Sequence, residues 1–304
     1  MPSIGLVGCG KWGRLILRDL LSLGATVSVV AFGESASHAA GAGASAVVAN
    51  VGDLPSVEGI VVASPTATHA DVIEALLPRG VPIYCEKPLC DDDVKARRLA
   101  TAAPTRLFVM DKWRYHCGVL EMAAIARSGE LGPVIGLRTT RIQYSHPHAN
   151  TDCVWTLLPH DICIAAEIFG RPLSPRWAVA DRTDRMLFGV QALSSDESGL
   201  WHVAEISVRA PRLQREIALL CRDGTAILQD GYADHLLIVE NPPADGATMQ
   251  PRTAKRGIAV DMPLRAELAA FVEHVRGGPP PKSTAAEAAD AVETIAAIRR
   301  LAGL

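Results

Sequence analysis

The chain has 304 residues, 49% of them apolar, with 30 Lys and Arg against 33 Asp and Glu and a formal net charge of −3. That length and composition suit two domains or one large one, each with a substantial core. The two signs of charge are interspersed, which excludes the electrostatic footprint of a nucleic-acid or anionic-membrane binder, and no apolar run approaches the roughly 20 residues of a bilayer span.

The seven cysteines, Cys9, Cys85, Cys90, Cys117, Cys153, Cys163 and Cys221, are scattered and lack CxxC spacing. They read as reduced thiols of a cytoplasmic protein, not as a disulfide framework. The first residues lack the basic, apolar, small-residue order of a secretory signal.

Taken in chain order, an apolar strand is predicted over 4–8. A helix follows over 11–23, with Trp12, Leu15, Ile16 and Leu20 on its apolar stripe. Strands are predicted over 26–32, 44–48 and 59–64, then a helix over 69–80 that closes at Pro78-Arg79-Gly80. A strand over 81–87 precedes a helix over 91–103, whose opening acids, Asp91 to Asp93, suit a helix N-terminus. A strand over 106–110 completes the series. Strands apolar on both faces, alternating with helices, imply a doubly wound parallel sheet covered on both sides.

The pattern changes after residue 115. A helix over 116–127 ends at Ser128-Gly129, a long strand covers 134–144, and a helix is expected over 159–169, opened by Pro159. Strands then run in series over 176–180, 187–194, 201–208, 216–221 and 226–228. Ser195 to Gly199 and Asp223-Gly224 are turn signals between them. That series implies an antiparallel sheet, so the architecture reads as α/β followed by α+β. Residues 241–260 read as a long surface loop or a partly disordered stretch. Two helices, over 264–276 and 284–301, close the chain around a Gly- and Pro-rich linker.

The glycine turn Gly8-Cys9-Gly10-Lys11-Trp12-Gly13 follows a predicted strand and opens a predicted helix. In that context GxGxxG reads as a dinucleotide site. The first glycine makes the tight turn, the second admits the pyrophosphate, the third lets helix and strand pack, and the helix N-terminus meets the phosphates. The acid expected about 20 residues on, to hold the ribose, is missing. Ala31 or Phe32 stands there, and Glu34 is the nearest acid. Glu34 suits NAD, Ser35 and Ser37 suit NADP, and the sequence leaves both open.

Two further segments, Ser64-Pro65-Thr66-Ala67-Thr68-His69 and Glu86-Lys87-Pro88, fall at predicted strand ends, the edge where ligands bind in open α/β sheets. Pro88 keeps Lys87 out of helical geometry and opens the way to a cis bond. A lysine there can stabilise a forming alkoxide, though a surface lysine starting a loop has the same local pattern.

Together, Gly8-x-Gly10-x-x-Gly13, Ser64-Pro65-Thr66-x-x-His69 and Glu86-Lys87-Pro88 resemble the glucose–fructose oxidoreductase / inositol dehydrogenase family over essentially the whole chain. The resemblance implies a Rossmann domain over 1–115 and an α+β substrate and oligomerisation domain over 116–283, with a large, mainly antiparallel sheet. It also implies that the helix over 284–304 packs back on the first domain. Lys87 becomes the active-site lysine. The cofactor, NAD or NADP, is expected against Gly8, Gly10, Lys11, Trp12, Gly13, Ser64, Pro65, Thr66, His69, Glu86 and Lys87.

The family histidine, often in Asp-x-Gly-x-His, maps to His160, with Thr156 in place of the aspartate and Leu158 in place of the glycine. The Pro-His-Asp form looks most like the sugar and sugar-nucleotide branch. In the first turn of a helix, His160 would be kept neutral by the helix dipole and would act as base. Arg141, Tyr144 and Thr156 join Lys87 and His160 as expected substrate contacts. Asp152 is a further candidate for substrate hydroxyls, and Lys112, Trp113 and Arg114 for the lining of the crevice.

The implied activity is hydride transfer between the nicotinamide and a hydroxyl or ketone carbon of a sugar, cyclitol or sugar nucleotide, in a homodimer or homotetramer. The alternative is a dinucleotide-binding sensor without turnover. Loss of the aspartate at Thr156 keeps it open, and the retained Lys87 and His160 oppose it. No metal is expected, because His146-Pro147-His148 lacks a third ligand at a known spacing.

Overall fold

The computed structural model describes residues 1–144, 151–241, 251–260 and 262–304. In chain order the elements are β1 (Ser3–Val7), α1 (Lys11–Ser22), β2 (Thr26–Val30), α2 (Gly33–Gly41), β3 (Ala46–Val48), β4 (Gly59–Val62), α3 (His69–Leu76), β5 (Ile83–Glu86), α4 (Asp93–Ala102) and β6 (Leu107–Met110). Then come α5 (Cys117–Ser128), β7 (Val134–Tyr144), α6 (Cys153–Phe169), β8 (Ser174–Arg182), β9 (Leu187–Ser195), β10 (Trp201–Ser207), β11 (Arg209–Cys221), β12 (Gly224–Leu228), β13 (His235–Glu240), β14 (Arg252–Gly257), α7 (Pro263–Val275) and α8 (Ala285–Leu301).

The chain divides into two compact units, one of residues 1–115 with 262–293, the other of 116–261 with 294–304. The first is built on a six-stranded parallel sheet in the order β3-β2-β1-β4-β5-β6, the arrangement the alternating pattern implies. Strands β4, β5 and β6 are buried along their whole length, which is why they read as continuous apolar runs. Asp92 caps α4 by accepting from Lys95 N at 2.8 Å, so the acidic run does open a helix.

Residues 262–283, expected with the second domain, cluster with the first instead. The reason is packing: Leu264, Leu268, Phe271 and Val272 of α7 join the core formed by β1, β2 and α1. Phe271 stacks on Tyr84 of β5 with ring centroids 5.0 Å apart.

The second unit is built on an eight-stranded sheet in the order β14-β13-β12-β11-β7-β10-β9-β8, antiparallel except where β10 runs parallel to β7. The expected hairpin β11–β12 forms around Asp223-Gly224, and the turn signal at Ser195 to Gly199 joins β9 and β10 in a second hairpin. Two strands differ from the sequence reading. β13 went unpredicted, and β14 lies within the stretch read as a loop. β14 has the sequence RTAKRG, is mostly exposed and stands at the sheet edge. Cationic edge strands resist pairing with other chains and lack the apolar alternation that marks a strand.

Among the described residues no helix is long and apolar enough to cross a membrane, and no three His, Cys, Asp or Glu side chains are grouped to hold a metal ion. His146-Pro147-His148 lies outside the described residues.

Candidate active site

The glycine turn of the first unit is built as its spacing demands. Gly8 has φ +96°, and a Cβ there would stand 2.6 Å from Ala63 O. A Cβ on Gly13 would stand 2.3 Å from Gly8 O, so only glycine lets α1 pack this closely on the loop. A Cβ on Gly10 would meet nothing within 4 Å. Gly10 is also the N-cap of α1, it supplies no side-chain cap, and the first turn of the helix holds no acid. The amides of this helix start therefore face an open cradle that suits a dinucleotide pyrophosphate.

His69 opens α3 and is buried. Its Nδ1 lies 2.9 Å from Pro88 O and its Nε2 2.9 Å from Ser64 O, so it braces the 64–69 loop against the Lys87–Pro88 segment. His69 is expected against the cofactor, and both its ring nitrogens are engaged with backbone carbonyls. Burial lowers its pKa, against the pull of the two carbonyls. Thr68 Oγ1 donates to Pro65 O at 2.7 Å and lies 2.8 Å from Ser64 Oγ, which fixes the turn that presents Ser64, Pro65 and Thr66. The Lys87–Pro88 peptide is cis.

Glu86 ends β5 and is buried. Its Oε1 accepts from the Trp12 indole N–H, and its Oε2 accepts from the Lys87 backbone N–H at 3.0 Å. Lys112 Nζ stands 4.7 Å from the Trp12 ring centroid, a cation–π contact. Burial pushes the Glu86 carboxyl up, while Lys87, Trp12 and Lys112 favour its ionised form and Asp111 opposes it. Glu86, expected as a cofactor contact, joins the glycine-turn helix to the Lys87 segment.

A second buried acid had no signal in the sequence. Glu267 of α7 is 0% exposed, and among the described residues neither carboxyl oxygen has a hydrogen-bond partner. Burial raises its pKa well above the ordinary carboxyl value, with Glu86 and Asp111 adding to the effect and Lys112 and Lys87 opposing it.

In the second unit His160 lies on α6, but not where the sequence puts it. The helix begins at Cys153, with Asp152 as N-cap accepting from Val154 N at 3.0 Å and Trp155 N at 3.2 Å. Pro159 sits inside the helix, and His160 is its eighth residue. The dipole's influence fades within the first turn, so the dipole argument for a neutral base does not hold at His160. Thr156 and His160, four residues apart, are half-buried on one face of α6 between buried neighbours. Thr156 Oγ1 donates to Asp152 O at 2.8 Å.

Asp152, a candidate for substrate hydroxyls, is this cap, and its Oδ2 accepts from Arg299 Nη1 at 2.6 Å. The Arg299 guanidinium also lies 5.5 Å from the Trp155 ring centroid. Arg141, expected at the substrate, is buried, with Nε 3.0 Å from Asp161 Oδ2. Its partner Asp161 follows His160 directly on the helix. Burial pushes the Asp161 carboxyl up, against Arg141 and Thr139. Thr139 Oγ1 lies 3.0 Å from Nε2 of the buried His202, whose pKa burial lowers to about 4. Tyr144, at the end of β7, is 73% exposed. Trp113 is buried.

Residues 3–109 match the model of the oxidoreductase family with an NAD-binding Rossmann fold. The chain is 32% identical over 184 residues to a myo-inositol dehydrogenase of Streptomyces leeuwenhoekii, covering 56% of this chain and 57% of that one. It is 33% identical over 143 residues to an inositol 2-dehydrogenase of Ralstonia nicotianae, covering 43% and 42%. The matches thus span about half the length of these curated relatives. Two solved structures share the fold over 99% of this chain and 97% of theirs. They are UDP-N-acetylglucosamine 3-dehydrogenase from Acidithiobacillus ferrooxidans, at TM-score 0.84 and 20% identity, and levoglucosan dehydrogenase in complex with NADH and levoglucosan, at TM-score 0.86 and 17% identity.

Proposed function

We propose, because residues 3–109 match the model of the oxidoreductase family with an NAD-binding Rossmann fold, that the protein is an NAD-dependent dehydrogenase acting on a CH–OH group of a cyclitol, sugar or sugar nucleotide. One observation carries this reading: the Glu86 carboxylate ties Lys87 to the helix that opens on the glycine cradle. A lysine held there suits a role in meeting charge that develops on a substrate oxygen. When bound, the dinucleotide supplies the hydride acceptor. Gly8, Gly10, Lys11 and Gly13, with Ser64 to Thr66, are the residues proposed to hold it. Lys87 steadies the substrate oxygen as its proton leaves, and His160 takes that proton. Thr156 shares the His160 face and is proposed to meet a substrate hydroxyl.

NAD is the favoured cofactor. Glu34 stands in the first turn of α2 just beyond β2, and no Lys or Arg lies between Val30 and Gly41 to receive a 2′-phosphate. Homo-oligomerisation is proposed through the outward face of the second sheet, where Trp177 and Val179 of β8 are exposed. Light scattering at micromolar concentration tests that step.

The activity is tested with NAD+ and NADP+ against myo-inositol, levoglucosan and UDP-N-acetylglucosamine, following reduced nicotinamide by absorbance. Turnover of at least one of them with NAD+ is expected, and Lys87→Ala is expected to lower kcat by at least about 10²-fold. Tight NADH binding without turnover across a broadened polyol panel would leave a sensor and reject the enzyme reading. A near-wild-type rate in Lys87→Ala would remove the lysine from the chemistry.

A further inference from the structure

Trp12 occupies a variable position of the glycine turn, where the loop geometry itself makes no demand on the side chain. In this chain it reaches across to a different motif. Its indole N–H donates to Glu86 Oε1, Glu86 Oε2 accepts the Lys87 backbone N–H at 3.0 Å, and its ring carries Lys112 Nζ 4.7 Å from the centroid. The buried carboxyl group joins the start of α1 to the end of β5, and the Trp12 ring joins both to the turn after β6.

A buried carboxylate depends on each of its donors, because losing one leaves an oxygen desolvated and unmatched. The charged groups that act on it come from every packed element: Lys87 beyond β5, Asp111 and Lys112 beyond β6, and Glu267 from α7. Three acids therefore share this interior with two lysines. Trp12 supplies the neutral donor that favours charge on Glu86, the acid bonded directly to the Lys87 backbone.

We infer that Trp12 is a positioning residue for Lys87: acting through Glu86, it fixes the lysine's backbone against the glycine-turn helix and keeps a negative charge beside its ammonium group. The consequence for catalysis rests on the dehydrogenase reading above. The link itself does not, and it can be read on Lys87 directly.

The experiment measures, on the full-length chain, the pH midpoint of amine acylation at Lys87 by peptide mass spectrometry. Trp12→Phe keeps a ring under Lys112 and deletes only the N–H. Glu86 then takes up a proton at higher pH, and its carboxylate, held by one donor fewer, stands less firmly beside Lys87. The midpoint is expected to fall by about one pH unit, roughly a tenfold gain in labelling rate at fixed pH below the midpoint. Glu86→Gln should lower it at least as far, Trp12→Phe added to Glu86→Gln should change little more, and Trp12→His, which restores a ring N–H, should recover most of the shift. In any substrate assay that shows turnover, Trp12→Phe should move the acid limb of the kcat profile upward while leaving KM within about twofold. An unmoved Lys87 midpoint in folded Trp12→Phe, or additive effects of the Trp12 and Glu86 changes, would overturn the inference. If the wild type turns over no substrate, the dehydrogenase reading falls while the labelling result still decides this one.

Discussion

Glu267→Gln removes a titrating proton from the core with almost no change of shape. Glu267 is fully buried on α7, neither oxygen has a hydrogen-bond partner among the described residues, and Glu86 and Asp111 add to the burial that raises its pKa well above 4.5. In the unfolded chain the same carboxyl titrates near 4.5. A group whose folded pKa is raised contributes stability that is fully present below the unfolded value and is lost as pH rises toward the folded one. Over that window the folded state binds one more proton than the unfolded state, and stability falls by about 1.4 kcal/mol per pH unit. Glutamine binds no proton in either state, so the variant lacks this slope. As pH rises above 4.5 the gap between the two proteins should therefore shift in favour of Glu267→Gln, by about 1.4 kcal/mol for each pH unit up to the folded value. Urea denaturation at several pH values checks this, with the shared titrations of other groups cancelling in the difference. Parallel stability curves for the two proteins would refute the reasoning, because they would mean that Glu267 carries its charge in the folded state.

Gly10→Ala should leave Tm within about 2 °C, since a Cβ there meets nothing within 4 Å, yet weaken NADH binding, measured by fluorescence titration, by at least about tenfold by filling the cradle. Gly13→Ala should lower both, because its Cβ would stand 2.3 Å from Gly8 O. Arg299→Ala should raise the exchange rate of the Val154 and Trp155 amides, read by hydrogen–deuterium exchange, and cost about 1 kcal/mol of stability. Arg299→Lys, which keeps the charge, should retain part of the protection. Arg141→Met strands the Asp161 carboxyl in the interior and should cost about 3–5 kcal/mol in denaturant titration, and adding Asp161→Leu should recover much of that loss.

Local chemistry was legible and tertiary partnership was not. The glycine turn, the acids opening α4 and the Asp223-Gly224 hairpin each follow from a few adjacent residues whose backbone demands are specific. Glu267 shows the opposite limit. A glutamate in an amphipathic helix reads as a solvent-facing residue, and only the packing of α7 into the nucleotide-binding core reveals that it faces inward. Arg141 looks like a free cation near a strand end until α6 brings Asp161 to it. For α6 itself, proline's preference for the first helical position pointed to Pro159, but the Asp152 carboxylate had already started the helix at Cys153.

That displacement changes the account of His160. The field of a helix start cannot reach a residue seven positions inside it, so whatever readies the imidazole for proton uptake must come from its own surroundings. What the early start does supply is geometry. Asp152 fixes the first turn through two backbone amides and is itself held by Arg299, while Asp161, the next residue after His160, is anchored to β7 by Arg141. The helix is thus pinned before and after the Thr156–His160 face, and both pins are ion pairs. Raising ionic strength should loosen the more exposed Arg299–Asp152 pin well before the buried Arg141–Asp161 one. In hydrogen–deuterium exchange the Val154 and Trp155 amides should therefore gain rate with salt while those near Asp161 do not.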